Sequence, residues 1–300
     1  MCDRVWAIIR NVVLLSTLLA FRSPAFAVRR APAPPPSVDG WTGFYLGGNL
    51  GYGWADPRVD TTGNAMTISP ISGRQFSNSI AFAGSHTAEL NGFVGGGQVG
   101  YNYQISPRWL VGFETDIQSS AVRGTDIFTD AFSAPFCVGI TGPPIHCTTA
   151  PFNGTATTDY QAKIQWFGTV RGRLGVLVTD RVLVYGTGGL AYGRVKVAGS
   201  TKVDGLLQVG SILTPGTSAF AAERTNVGFA VGCGIEGKIF ANWTWKLEYL
   251  HLDLGSLDSV TTFPPIVVRG GVTPAVGTMT THTEFTDDIV RVGLTYKFAR

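Results

Sequence analysis

The chain has 300 residues, of which only 14% are charged and 11% aromatic, with 39 glycines and a formal charge of +3. Ordinary soluble domains carry about 25% charged residues, and the near-neutral balance offers no electrostatic footprint for nucleic acid. Beyond the N-terminal region no stretch has the length and apolarity of a spanning helix, so any passage through a membrane must be made by strands.

Residues 1–27 read as a secretory signal peptide. Arg4 and Arg10 supply a positive start, Val12 to Ala20 a short apolar run, and Ala25-Phe26-Ala27 a small-residue cleavage site. The run is shorter than the roughly 20 apolar residues of a membrane helix. Cleavage leaves Val28 first, and Cys2 lies too far upstream to be a lipid-anchor cysteine. Residues 28–40 contain Ala31-Pro-Ala-Pro-Pro-Pro36. Proline lacks the N–H and fixes φ, which predicts an extended periplasmic tether.

Residues 41–300 then fall into eight runs of alternating polarity, the signature of strands whose two faces see different surroundings. In Trp41–Trp54, Phe44, Leu46, Leu50, Tyr52 and Trp54 share one face, with Tyr45, Asn49 and glycines on the other. Gly92–Tyr103 sets Phe93, Val99, Tyr101 and Tyr103 against Gln98 and Asn102. Trp109–Gln118 opposes Trp109, Val111, Phe113 and Ile117 to Glu114 and Asp116. Lys163–Val178 places Ile164, Trp166, Val170 and Leu174 opposite Gln165, Thr169, Arg171 and Arg173. Val182–Val195, Asn226–Gly237 and Trp243–Asp253 follow. Asp288–Phe298 is the clearest, with Val290, Val292, Leu294, Tyr296 and Phe298 facing one way and Arg291, Thr295 and Lys297 the other.

Short turns near Pro107, Asp180 and Asn242 alternate with four long connections, Ala55–Ala88, Ser119–Gln161, Lys196–Thr225 and Leu254–Glu284. In an up-and-down meander that alternation gathers every long loop at one end. The pattern predicts an all-β fold, an eight-stranded antiparallel transmembrane β-barrel with four long extracellular loops and short periplasmic turns. A soluble barrel would instead turn its aromatic faces inward.

The segments Gly40-Trp-Thr-Gly-Phe-Tyr-Leu-Gly-Gly48, Trp166-Phe-Gly-Thr-Val-Arg-Gly-Arg-Leu-Gly175, Tyr185-Gly-Thr-Gly-Gly-Leu-Ala-Tyr-Gly193, Lys246-Leu-Glu-Tyr-Leu250 and Val292-Gly-Leu-Thr-Tyr-Lys-Phe298 resemble the alphaproteobacterial outer-membrane immunogenic, or porin-like, surface antigens. The resemblance runs from Trp41 to the end. It implies an abundant surface protein of a Gram-negative outer membrane, without catalytic residues or cofactor. It also implies contact with outer-membrane lipid and lipopolysaccharide, with the barrel-assembly machinery, and with host or phage ligands through the loops. Val292, Leu294, Tyr296 and Phe298 would form the C-terminal assembly strand; Ala299 and Arg300, which follow Phe298, depart from the family's aromatic ending.

The inward faces carry Glu114, Asp116, Glu236 and Glu248 beside Arg171, Arg173, Lys246, Arg291 and Lys297. A lumen that side chains just fill must pair such charges, so a structural network is expected, with a narrow ion pathway as the alternative. Gly95-Gly-Gly-Gln-Val-Gly100 fits a dinucleotide fingerprint only in spacing; it lies inside a strand, where glycines relieve crowding. His86, His146 and His282 have no metal-ligand spacing and read as lone surface residues, and His251 has no Ser or acid positions that would complete a triad. A lipid-modifying enzyme is therefore disfavoured. Related barrels include haem-binding surface proteins, but no Cys/His-rich tract marks such a site. Cys137 and Cys147 share one long connection rich in Gly and Pro and are expected to form a disulfide, while Cys233 falls on a lipid-facing strand position. The reading is an anchored surface-interaction protein; the alternatives are a narrow small-solute porin and a ligand-binding surface protein.

Overall fold

A computed structural model describes residues 40–71, 74–142, 146–207, 211–212, 216–240, 242–263, 267–268, 271–272 and 276–298. The signal peptide, and the tether except for Gly40, lie outside these residues.

The described chain is entirely strand and turn. Its elements are β1 (Gly43–Ala55), β2 (Arg58–Ile71), β3 (Arg74–Thr87), β4 (Leu90–Gln104), β5 (Trp109–Ser120), β6 (Arg123–Thr141), β7 (His146–Thr179), β8 (Val182–Leu207), β9 (Ser211–Ile212), β10 (Gly216–Phe240), β11 (Trp243–Phe263), β12 (Val267–Val268), β13 (Gly271–Val272) and β14 (Val276–Lys297). Antiparallel ladders run β1-β4-β5-β7-β8-β10-β11-β14, and β14 pairs back onto β1 from Tyr45↔Lys297 to Trp54↔Asp288. The eight-stranded ring is thus closed, which leaves no unpaired edge where lipid would meet it.

Among the described residues, the four long connections are mostly strand. They continue the wall as hairpins. β2 and β3 pair from Arg58↔Thr87 to Ile71↔Arg74, β6 pairs the outer half of β7, β8 stays paired with β10 up to Val203↔Gly216, and β11 with β14 up to Phe263↔Gly277. β1 passes into β2 at Asp56-Pro57, β3 into β4 at Ala88-Glu89, and β5 into β6 at Ala121-Val122. Backbone bonds such as Ala88 N–H to the Pro57 carbonyl at 3.1 Å and Ile164 N–H to the Val122 carbonyl at 3.0 Å carry the wall across these breaks. A second storey of eight strands therefore stands on the first: β2, β3, β6, β7, β8, β10, β11 and β14.

Sequence reasoning missed the second storey because its polarity is inverted. Nearer the short turns, apolar residues face out and charges face in. Farther out, β14 buries Ile289, Phe285 and Met279 and exposes Glu284, and β8 buries Val195 and Val197 while Arg194 and Lys196 face outward. Thr-rich runs such as Met279–Thr283 are good strand formers, but with water outside they lack the aromatic stripe of the membrane strands. On β7 the inversion is made by a bulge. The register shifts between Ile164 and Trp166, so Ile164 points inward and is buried, contrary to the sequence expectation that placed it outward. The extra residue of a bulge flips every side chain beyond it. A second irregularity on β11, between Asp253 and Ser256, uses Gly255 at φ +68°, a conformation that favours glycine.

β3 and β6 complete the outer storey without a backbone ladder among the described residues. Side chains bridge them: Phe82 stacks on Phe132, the His86 ring lies on Phe128 with centroids 4.5 Å apart, and Asp130 meets His86 at 2.9 Å and Thr61 at 3.0 Å. Cys137 and Cys147 are joined near the tip of the β6–β7 hairpin, with Cα atoms 5.6 Å apart.

At the short-turn end, Trp41 precedes the first strand instead of opening it. It is buried with Leu110, Leu177, Leu183 and Tyr185, donates its indole N–H to the Asp180 carbonyl at 3.2 Å, and lies under the Lys238 ammonium.

Ring closure depends on the last strand. Deleting Tyr296–Arg300 removes the Tyr45↔Lys297 and Leu46↔Tyr296 pairings and should abolish heat-modifiable migration on semi-native gels. A truncated chain that kept the folded mobility would show that closure does not need these residues.

Candidate functional site

The inward face of the membrane storey holds a charge cluster whose geometry follows from register. Glu114 and Arg171 are opposite one another across β5–β7, Glu236 and Lys246 across β10–β11, and Glu248 and Arg291 across β11–β14. Opposite charges in such positions support each other. Arg171 reaches further: one guanidinium nitrogen lies 2.7 Å from Glu114 and 2.9 Å from Asp116, while the other spans the lumen to Glu248 at 3.3 Å. Its Nε donates to Thr169 at 2.8 Å. Arg291 donates to Glu248 at 2.6 Å through Nε and to Asp116 at 2.8 Å through Nη2. Lys246 Nζ sits 3.0 Å from both Glu114 oxygens. Arg173 reaches Glu236 at 2.8 Å, and its guanidinium lies over the Tyr185 ring, 3.9 Å from the centroid.

Hydroxyls complete the cluster. Tyr45 donates to Glu114 at 2.7 Å and accepts from Arg173 at 2.8 Å; Tyr185 donates to Glu248 at 2.9 Å, and Thr244 to Glu236 at 2.7 Å. Four carboxylates thus meet four cations, all buried. Lys297 was expected among them; it lies instead at the short-turn mouth, where it donates to the Gly40 carbonyl at 2.8 Å. The tyrosines were legible in the same alternation, since Tyr45 shares the inward face of Asn49. Their role was not, because nothing in a sequence says which inward hydroxyl meets which carboxylate.

Glycine makes the room. A Cβ on Gly100 would stand 2.4 Å from the Tyr45 hydroxyl, one on Gly51 would stand 2.7 Å from the Arg291 Cβ, and one on Gly234 would stand 2.5 Å from the Tyr185 hydroxyl. In the run Gly95–Gly100, Gly96 and Gly100 face the lumen as anticipated from crowding. Gly95 and Gly97 have no contact closer than 3.2 Å.

Two further features line the lumen. Gln104, Asn102, Gln98 and Gln118, with the half-buried Asn49, form a strip of amides on β1, β4 and β5, several of whose amide atoms have no partner among the described residues. Beyond the strip an apolar layer, including Val94, Leu90, Val122, Leu250, Leu252 and Phe285, fills the interior. Asp287 is buried at this level with neither carboxyl oxygen bonded to a described residue.

His146 is exposed at the start of β7, as a lone surface residue would be, but His86, His251 and His282 are not lone residues. Besides the His86–Asp130 contact, His282 meets Asp258 at 2.6 Å and His251 meets Asp288 at 2.7 Å. Among the described residues no three His, Cys, Asp or Glu side chains converge as a metal site. Cys233 faces outward. Val292, Leu294, Tyr296 and Phe298 also face outward, and Tyr296 stands edge-on to both Trp243 and Phe298 at 5.3 Å.

The chain is similar to known outer-membrane proteins. A family model described as an outer membrane protein beta-barrel domain matches residues 13–298. The 31 kDa outer-membrane immunogenic protein of Brucella melitensis biotype 1 is 33% identical over 300 residues, covering 96% of this chain and 100% of that protein. The 22 kDa outer membrane protein of Rhizobium leguminosarum bv. viciae is 28% identical over 228 residues, 75% of this chain and 70% of that protein. Among solved structures, the outer membrane protein OprG of Pseudomonas aeruginosa gives a TM-score of 0.33 at 12% identity, covering 88% of this chain and 100% of that one; a likeness of that size has no bearing on function.

Breaking the cluster should be costly. Arg171→Met removes a cation shared by Glu114, Asp116 and Glu248 and leaves one buried negative charge uncompensated, and the expected loss in urea unfolding of the detergent-refolded barrel is about 3–5 kcal/mol. Val292→Leu, on the outward face, should cost under about 1.5 kcal/mol. Equal stability of the two variants would refute the pairing.

Proposed function

Because the chain belongs to the outer membrane protein beta-barrel domain family, we propose that it is a structural and surface-interaction protein whose barrel anchors the outer storey while its lumen stays closed to solutes. The protein resides in the outer membrane, as its relatives do. The short turns then face the periplasm and the hairpins face outward. The observation that carries the reading is the stack inside the ring: a neutral cluster of four carboxylates and four cations, capped by an apolar layer. An ion entering from the periplasm would have to break paired charges and then pass an apolar layer that offers it little besides the buried Asp287 carboxyl. The Brucella relative's description as an outer-membrane immunogenic protein supports exposure of the hairpins on the cell surface.

The reading includes no catalysis. The network carboxylates are held by cations, and the relatives matched are outer-membrane proteins without a stated reaction. For a haem site, His86, His251 and His282 are each taken up by an aspartate, which leaves exposed His146 at the start of β7. A narrow porin is the second reading, because the amide strip from Gln104 to Gln118 offers a polar file along one wall. Val94 and Leu90 stand at the end of that file on β4.

Planar-bilayer recording of the refolded mature protein distinguishes the two. The closed-lumen reading predicts no stepwise current above the protein-free baseline. Reproducible single-channel steps would put the narrow porin in its place.

A further inference from the structure

The outer rim of the membrane storey carries a row of like charges. Arg123 on β6 is the direct cross-strand partner of Lys163 on β7, and Lys163 is the direct partner of Lys196 on β8. All three face outward. Like charges opposite one another on antiparallel strands oppose pairing, yet the register sets three cations side by side. Arg194 faces outward one step nearer the membrane, as the partner of Trp166. Glu223 on β10 is the row's only ion-pair carboxylate among the described residues: it meets Arg194 at 2.5 Å and Lys196 at 3.8 Å, and accepts from Gln165 at 3.1 Å. Burial raises the Glu223 carboxyl, but the hydrogen bond and charge of Arg194 outweigh that and hold it below the usual carboxylate value. Its charge is committed to Arg194. Neither Arg123 nor Lys163 has an ion pair among the described residues. Asp159, further out on β7, is bonded by Ser200.

The height of the row points to its ligand. Trp166 and Tyr192 stand edge to face just beneath it on the outward surface, centroids 6.1 Å apart, where interfacial aromatics sit at headgroup level. The cations therefore lie at the outer headgroup plane. The wall made by β11 and β14 carries the opposite charge at outward positions, in Asp258, Glu284 and Asp288, and the exposed Arg58 on β2 is paired with Asp60. A site on one wall, at headgroup height, with cations left over, suits an anionic lipid better than a soluble ligand approaching from above.

We propose that Arg123, Lys163, Lys196 and Arg194 form a binding site on the outside of the barrel for the phosphates of a bisphosphorylated glycolipid headgroup of the lipid A class. The like-charge register is then neutralised by the membrane itself, and the lipid fixes the rotational setting of the barrel.

The test is titration of the folded mature protein in detergent with bisphosphoryl, monophosphoryl and fully dephosphorylated lipid A, read by native mass spectrometry. Heat-modifiable migration checks the fold of each variant. Affinity should fall as phosphates are removed. Lys163→Gln with Lys196→Gln should weaken bisphosphoryl lipid A about thirtyfold, the loss expected for two cations at an anionic lipid surface. Glu284→Gln, on the acidic wall, should leave binding unchanged. Unaltered binding by the folded double variant would overturn the proposal. So would a heparin oligosaccharide or inorganic phosphate binding as tightly as the lipid, which would make the row a soluble-anion surface. If the double variant fails to fold, the wild-type series decides: equal affinity for bisphosphoryl and dephosphorylated lipid overturns the site.

Discussion

The constraint on which the membrane storey depends is the pairing of charge inside a narrow ring. Eight strands enclose a space that side chains just fill. With lipid outside, the polar half of each alternating strand must turn inward, and the inward groups include guanidinium and carboxylate. Leaving one such group unpaired costs several kcal/mol. The solution is a neutral set. Glu114, Asp116, Glu236 and Glu248 are each met by at least one of Arg171, Arg173, Lys246 and Arg291, and tyrosine and threonine hydroxyls take further lone pairs. Arg171 ties β5 and β7 to β11 across the lumen. The cluster is therefore a cross-brace of the ring as well as its filling, and inward glycines such as Gly51 and Gly100 leave the volume it occupies.

The second storey follows from the same alternation in a different solvent. Where water replaces lipid outside, the wall exchanges the roles of its faces. β14 does this without altering its register: Arg291 inside gives way to Ile289 and Phe285, and Val290 outside gives way to Asp288 and Glu284. β7 does it with a bulge at Gln165. The apolar layer above the charge cluster is thus the ordinary hydrophobic core of a water-exposed barrel. The proposed closure of the lumen would then be a consequence of building a water-soluble storey on a membrane-spanning one.

Much of this was legible in the sequence. The eight membrane strands, their outward aromatics and the inward set from Glu114 to Arg291 follow from period-two alternation, because lipid outside and charge inside make the two faces chemically distinct. The outer storey was not legible. Thr61, Thr158, Thr201, Thr281 and Thr283 are buried there, and a threonine flanked by other polar residues, as Thr283 is by His282 and Glu284, gives little contrast between faces. The Ile164 inversion was hidden because a bulge changes parity without a sequence mark. Lys297 shared the parity of the network but lies beyond its end, where distance along the strand, not face, decides its partner. His251 and His282 were read singly because Asp288 and Asp258 become their neighbours only through pairing between strands, and His86 because Asp130 reaches it only where the side chains of β3 and β6 meet.

The most direct test of the account is the coupling between Glu248 and Arg291, measured by urea unfolding of the detergent-refolded protein across a double-mutant cycle. Arg291→Met and Glu248→Gln should each destabilise strongly, because each leaves uncompensated charge buried. The double variant restores neutrality, so its loss should be smaller than the two single losses added together, with a coupling of about 0.5–3 kcal/mol. Additive losses with no coupling would contradict the account, since the lumen charges would then not be stabilised by one another.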